Sequence, residues 1–185
     1  LTLIILTRFW AMRSLGAPLS GDSIQHVTMT QLFLDHRGLF NSWLPYAPYD
    51  SLTVQYNFSL LSAFLAWILH VTASNATLFM GQIINIIAVL ALYPLAMRLS
   101  DGNRLSGVIA IAIAGLLSPM PAYYVNWGRY AQLTGQAILP VALWLTWETY
   151  EIHLSGVKPK PVQQDKSSQS TTIFKWKNKA FLPVL

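Results

Sequence analysis

Three stretches of this chain, residues 76–97, 105–123 and 130–147, carry no charged side chain. Each is close to the ~20 apolar residues a helix needs to cross a bilayer. This feature restricts the fold more than any other. In lipid a backbone must satisfy its own polar groups, and only helices or closed barrels do so. Composition agrees: 54% of residues are hydrophobic and 10% charged, against about a quarter charged in soluble domains. The expected fold class is all-α, a polytopic helical membrane protein with about four spanning helices.

Residues 1–12 read as the tail of a first membrane helix, with Trp10 at the interface and Arg13 ending the run. Gly16, Pro18 and Gly21 break it. Ser20 or Asp22 can cap a second helix that runs to His36. On it Ile24, Val27, Leu32 and Phe33 alternate with polar residues, the pattern of a helix lying on a membrane surface. Gly38 stops it, and 39–50, rich in Pro, Tyr and Trp, reads as an interfacial loop. Residues 51–69 are polar in their first third, and the strongly apolar part, 60–69, suits a re-entrant or interfacial helix. Gly107, Ala110, Ala114 and Gly115 offer small faces for close helix contact. Pro140 predicts a kink in the last run. Gln82 and Asn85 are expected to bond to a neighbouring helix.

Charge sets the orientation. Arg98 and Arg104 lie between two runs, and Lys158, Lys160, Lys166, Lys175, Lys177 and Lys179 follow the last one against one acid, Asp165. The positive-inside rule puts both groups in the cytoplasm, which is consistent only if 51–69 does not cross. Residues 13–75 then form one large external loop module within a membrane module at 1–150. Residues 151–180 form a basic cytoplasmic loop, and 181–185 read as the start of a further membrane segment. Both ends of the chain fall inside apolar runs, so a piece of a longer protein is expected. The net charge of +5 belongs to this orientation signal, so no nucleic-acid partner is expected. With no cysteine there is no disulfide framework and no thiolate metal site. A Gly-rich phosphate loop, HExxH and a nucleophile elbow are absent.

The polar residues concentrate at 21–57, which holds Asp22, His26, Asp35, His36, Arg37 and Asp50. Asp22 and His26 stand four apart, so a helix puts them on one face. A carboxylate and an imidazole there can bind a divalent cation or share a proton. Otherwise Asp22 caps the helix and His26 faces water. Asp35, His36 and Arg37 mark a solvated helix end or a set of substrate contacts, and Asp50 reads as a cap. Downstream, Arg129 is the only charge in the loop at 119–130, among Tyr123, Tyr124, Trp127 and Tyr130. The orientation scheme puts it on the same side as Asp22. There it is an anion partner, since arginine matches phosphate geometry, or an interface snorkeller.

A first membrane helix is followed by GD-x-x-x-H opening a surface helix, G-L-F-x-S-W-L-P-Y, and a Tyr- and Pro-rich loop feeding an apolar segment. With the later S-P-x-P-A-Y-Y-x-x-x-G-R-Y, this order resembles the N-terminal half of the GT-C superfamily of membrane glycosyltransferases and their uncharacterised bacterial and archaeal relatives. The resemblance covers most of residues 1–150. It implies a large external loop with an essential aspartate near its start, membrane-bound loop helices, and a polyprenyl-phosphate sugar as donor. By position Asp22 is that aspartate, as base or as ligand of a divalent cation (Mg or Mn), with His26 beside it. Arg129, next to Tyr130, contacts the lipid phosphate. Asp22 is followed by Ser23, where several members have a second acidic residue. The implied activity is hexosyl transfer to an acceptor on the non-cytoplasmic face, in the plasma membrane of a prokaryote. The bilayer and the lipid-linked donor are the implied partners. The alternative is a non-catalytic or transport-type membrane protein handling lipid-linked saccharides. Transport calls for ionisable residues within the spans, and the three uncharged runs contain none.

Overall fold

The structure, a computed structural model, describes residues 1–48, 50 and 55–154. Every regular element among them is helical: α1 (Thr2–Met12), α2 (Gly21–His36), α3 (Asn57–Leu69), α4 (Ala73–Leu90), α5 (Leu92–Leu99), α6 (Arg104–Ala112), a π-helical turn (Ile113–Leu117), α7 (Ala122–Asn126) and α8 (Tyr130–Leu154). Two helical stretches are long and apolar enough to cross a membrane, Ala73–Leu99 and Arg104–Asn126. The 25-residue α8 is not one of them, because Gln132, Gln136, Glu148 and Glu151 dilute its apolar character. The helices α1 and α3 are apolar but shorter.

α4 is the hub and packs against α1, α2, α3 and α8. It starts ahead of the uncharged run because Thr72 caps it, its hydroxyl accepting the Asn75 N–H at 3.3 Å. It gives way to α5 at Ala91. Pro94 has no N–H for the Leu90 carbonyl, and its ring crowds that group. The main core joins Phe58 of α3, Met80 and Ile84 of α4, Val125 of α7, and Tyr130 and Leu133 of α8.

A second core corrects the expected membrane face of α2. Leu32 and Phe33 turn inward with Met29, against Phe40, Trp43 and Ala63. The chain after Gly38 folds back under the helix, with Phe40 edge-on to both Phe33 at 5.1 Å and Trp43 at 6.1 Å. It covers the stripe that alternation alone assigns to lipid, and Ile24 stays exposed. Asn85 also departs from expectation. It is fully buried, and its amide has no hydrogen-bond partner among the described residues. Its two buried neighbours on α4, Ile84 and Ile86, are aliphatic.

Gly107 and Gly115 permit the close packing expected of them. A Cβ on Gly107 would lie 2.6 Å from the Tyr93 ring, and one on Gly115 would lie 2.7 Å from Ile4 of α1. Here Arg8 of α1 donates to the Gly115 carbonyl at 2.9 Å, one of the last-turn carbonyls a helix end leaves without an intrahelical partner.

The two ends of the bundle differ. At one, Arg98 of α5 pairs with Glu148 at 2.8 Å and with Glu151 of α8, and sits 5.7 Å from the Trp147 ring. At the other, α8 begins beside the first turn of α2, and the Ser74 hydroxyl at the start of α4 donates to the Gly16 carbonyl at 3.0 Å. The start of α2 and the 118–129 loop therefore share the end opposite Arg98. The basic segment, with the lysines that set the expected orientation, and the terminal apolar residues at 181–185 lie outside the described residues.

Candidate functional site

The first turn of α2 docks on the turn that joins α7 to α8. Ser20 holds the N-cap position in an extended conformation, yet its side chain does not cap α2. Its hydroxyl donates instead to the Trp127 carbonyl at 2.9 Å. On the other side, α7 ends in a Schellman turn: the Gly128 N–H reaches Val125 O at 3.2 Å and the Arg129 N–H reaches Tyr124 O at 2.9 Å. The turn requires a left-handed residue, and Gly128 supplies it at φ 70. A Cβ at Gly128 would stand 2.6 Å from the backbone nitrogen of Ser23 and 3.0 Å from the carbonyl carbon of Asp22. The glycine thus serves twice, reversing the chain and letting two backbones touch.

That contact puts Arg129 against Asp22, Nε to Oδ2 at 3.4 Å, with both side chains more than half exposed. Asp22 does not cap α2. It lies in the first turn, where the helix dipole favours an acid. An exposed pair of this kind contributes about 0–1 kcal/mol to stability, so folding alone gives little reason for it.

Behind the pair lies an aromatic wall. Tyr130 is fully buried and stacks on Phe58 at 4.1 Å with the rings 2° from parallel. Ser23 donates to its phenol oxygen at 3.4 Å. His26 stands edge-on to both rings, at 5.4 Å from Phe58 and 5.2 Å from Tyr130, with Nδ1 3.1 Å from the Ser59 hydroxyl. Tyr130 therefore braces the floor of the site; its ring is not open to a substrate from outside. Burial pushes the His26 pKa below its ordinary 6.5, and the nearby Asp22 carboxylate opposes that shift. With the folded-state pKa depressed, the unfolded chain takes up the proton first. Stability should therefore fall as pH drops below 6.5 and level off below the folded-state pKa. Thermal unfolding between pH 7.5 and 5 should fall more steeply for the natural chain than for His26→Gln.

The sequence-derived set splits in two. Asp22, His26, Arg129 and Tyr130 come together. Asp35 and Arg37 do not join them: α2 has 16 residues and rises about 1.5 Å per residue, so they sit roughly 20 Å away. Asp35 is occupied there, accepting from Gln31 at 2.7 Å and from the Tyr46 hydroxyl at 3.1 Å. That bond holds the Tyr46 phenol above its usual pKa, and it ties the 39–48 loop to α2. Asp50 is exposed.

The donor set does not fit a divalent cation held by protein ligands. Among the described residues no three of the His, Asp and Glu side chains gather. Asp22 faces a guanidinium, and His26 Nδ1 faces Ser59. Phe58, Ser59 and Gly128 complete the site without having been singled out, with Ser23, which was noted only as the residue after Asp22. Only Gly128 carried a signal, as the glycine of the G-R-Y triplet. No family model, curated protein or solved structure matches the chain.

Proposed function

We infer that the chain is the N-terminal part of a membrane glycosyltransferase that moves a sugar from a polyprenyl-phosphate donor to an acceptor at the non-cytoplasmic face. In this reading α1 and α8 join the two long apolar stretches as further spans, the 13–75 loop is external, and the resemblance to the GT-C superfamily supplies the donor class. The observation that carries the reading is the exposed Asp22–Arg129 pair at one end of the helix bundle. In this reading the pair is a base and an anion-binding group standing where water and lipid headgroups meet.

The chemistry balances on these two residues. An acceptor hydroxyl gives its proton to the Asp22 carboxylate while its oxygen bonds to the anomeric carbon. The bond from that carbon to the phosphate oxygen breaks, and polyprenyl phosphate leaves with an added negative charge. The contact to Asp22 uses Nε of Arg129, and a guanidinium carries further donors in a rigid fork that matches phosphate. A group that is already positioned stabilises the charge developing on the leaving phosphate.

The test is transfer from a radiolabelled polyprenyl-phosphate hexose by the full chain in nanodiscs. Arg129→Gln should lower the rate by about 10²–10³-fold, as loss of a preorganised charge-stabilising donor does elsewhere. Arg129→Lys, which keeps the charge but loses the fork, should retain part of it. An unchanged rate in Arg129→Gln would remove the arginine from the reaction.

A further inference from the structure

The other end of α2 carries a feature that the transfer reading leaves unused. Between the last turn of α2 and the outer face of α3 lies a cleft with a volume of about 600 Å³, within the ~300–1,000 Å³ range of ligand pockets. Its lining includes Phe33, Leu60, Ala63, Phe64 and Trp67, together with the exposed Arg37. The outer wall is open: Phe64 is 57% and Trp67 68% exposed. Tryptophan of this kind marks the headgroup level of a bilayer.

Arg37 has no carboxylate partner among the described residues. The acid nearest to it in sequence, Asp35, has both oxygens engaged by Gln31 and Tyr46. Arg37 also closes α2 at φ 53, a position where glycine costs less. A cation without a partner over an apolar cleft calls for a ligand with an anion at one end and hydrocarbon behind it. Apolar walls favour a ligand with hydrocarbon over a free inorganic anion, and a lone cation favours a headgroup of net negative charge over a zwitterionic one.

We propose that this cleft is a docking site for an anionic membrane phospholipid, with the headgroup phosphate on Arg37 and an acyl chain along Leu60, Phe64 and Trp67. It is a second lipid site, separate from Asp22 and Arg129. It requires only that the chain sit in a bilayer, so it stands or falls independently of sugar transfer.

The experiment uses the full chain in nanodiscs containing phosphatidylglycerol or phosphatidylcholine, each with a photoreactive diazirine on the acyl chain. Adducts are mapped by peptide. Phosphatidylglycerol should label residues 57–69 about fivefold more than phosphatidylcholine does, the worth of one cation near an anionic interface. Arg37→Gly should erase that preference while thermal unfolding is unchanged or improved, because glycine tolerates the φ. Phe64→Ser, which removes an exposed apolar wall of the cleft, should lower labelling by both lipids. Millimolar inorganic phosphate should not compete. Equal labelling by the two lipids, a preference that survives in Arg37→Gly, adducts mapping elsewhere, or competition by phosphate alone would each overturn the proposal.

Discussion

Exchanging Asp22 for asparagine is expected to cut sugar transfer by about 10²–10⁴-fold, the usual worth of a positioned general base. The amide keeps the size and hydrogen-bonding reach of the carboxylate and loses only its capacity to take a proton. Because the Asp22–Arg129 pair is more than half exposed on both sides, the stability cost should stay within about 1 kcal/mol. Rate and stability therefore separate: unfolding of the variant in detergent should overlay that of the natural chain while transfer collapses. Asp22→Asn at full rate would sink the proposed chemistry, whatever Arg129 does.

The second large effect is structural. Gly128→Ala meets two penalties together. A Cβ in the left-handed region costs about 1–2 kcal/mol. Forcing it to 2.6 Å from the Ser23 nitrogen and 2.7 Å from the Ser23 hydroxyl adds ~1–3 kcal/mol of overpacking. The Ser23 contact is to backbone, which has no rotamer to change, so the start of α2 must move off the turn. Stability should drop by about 3 kcal/mol, and transfer should fall because Asp22 and Arg129 separate. Gly135→Ala is the control. A Cβ there has nothing within 4 Å, and alanine is the better helix former by about 1 kcal/mol. An equal change in both variants would mean that the left-handed φ and the close contact at Gly128 carry no special weight.

The helix pattern was readable because the three uncharged runs and their Gly, Pro and polar borders are local signals. The meeting of Asp22 and Arg129 was readable too. Counting arginines and lysines leads to the expectation that both lie on one side of a membrane, and what the structure shows is the pair itself. The fate of Leu32 and Phe33 was not readable, since nothing within α2 says that Phe40 and Trp43 will fold back over them. Asp35 and Arg37 looked like members of one site only because they share a polar stretch with Asp22. A helix converts that closeness in sequence into distance. Gly128 was visible as a motif letter, but its second duty depends on a backbone that arrives from a hundred residues away.

The bond from Arg8 to the Gly115 carbonyl spans 107 positions of chain, and it bears on how the protein is made. In the proposed membrane arrangement, a guanidinium within an apolar helix costs about 2.5–3.5 kcal/mol at insertion. Its acceptor is still unsynthesised when α1 leaves the ribosome. The first helix must therefore wait with its cation in the headgroups or in residual water until the π turn arrives. Of the described helices, the one translated ahead of the others would be among the last to reach its final depth.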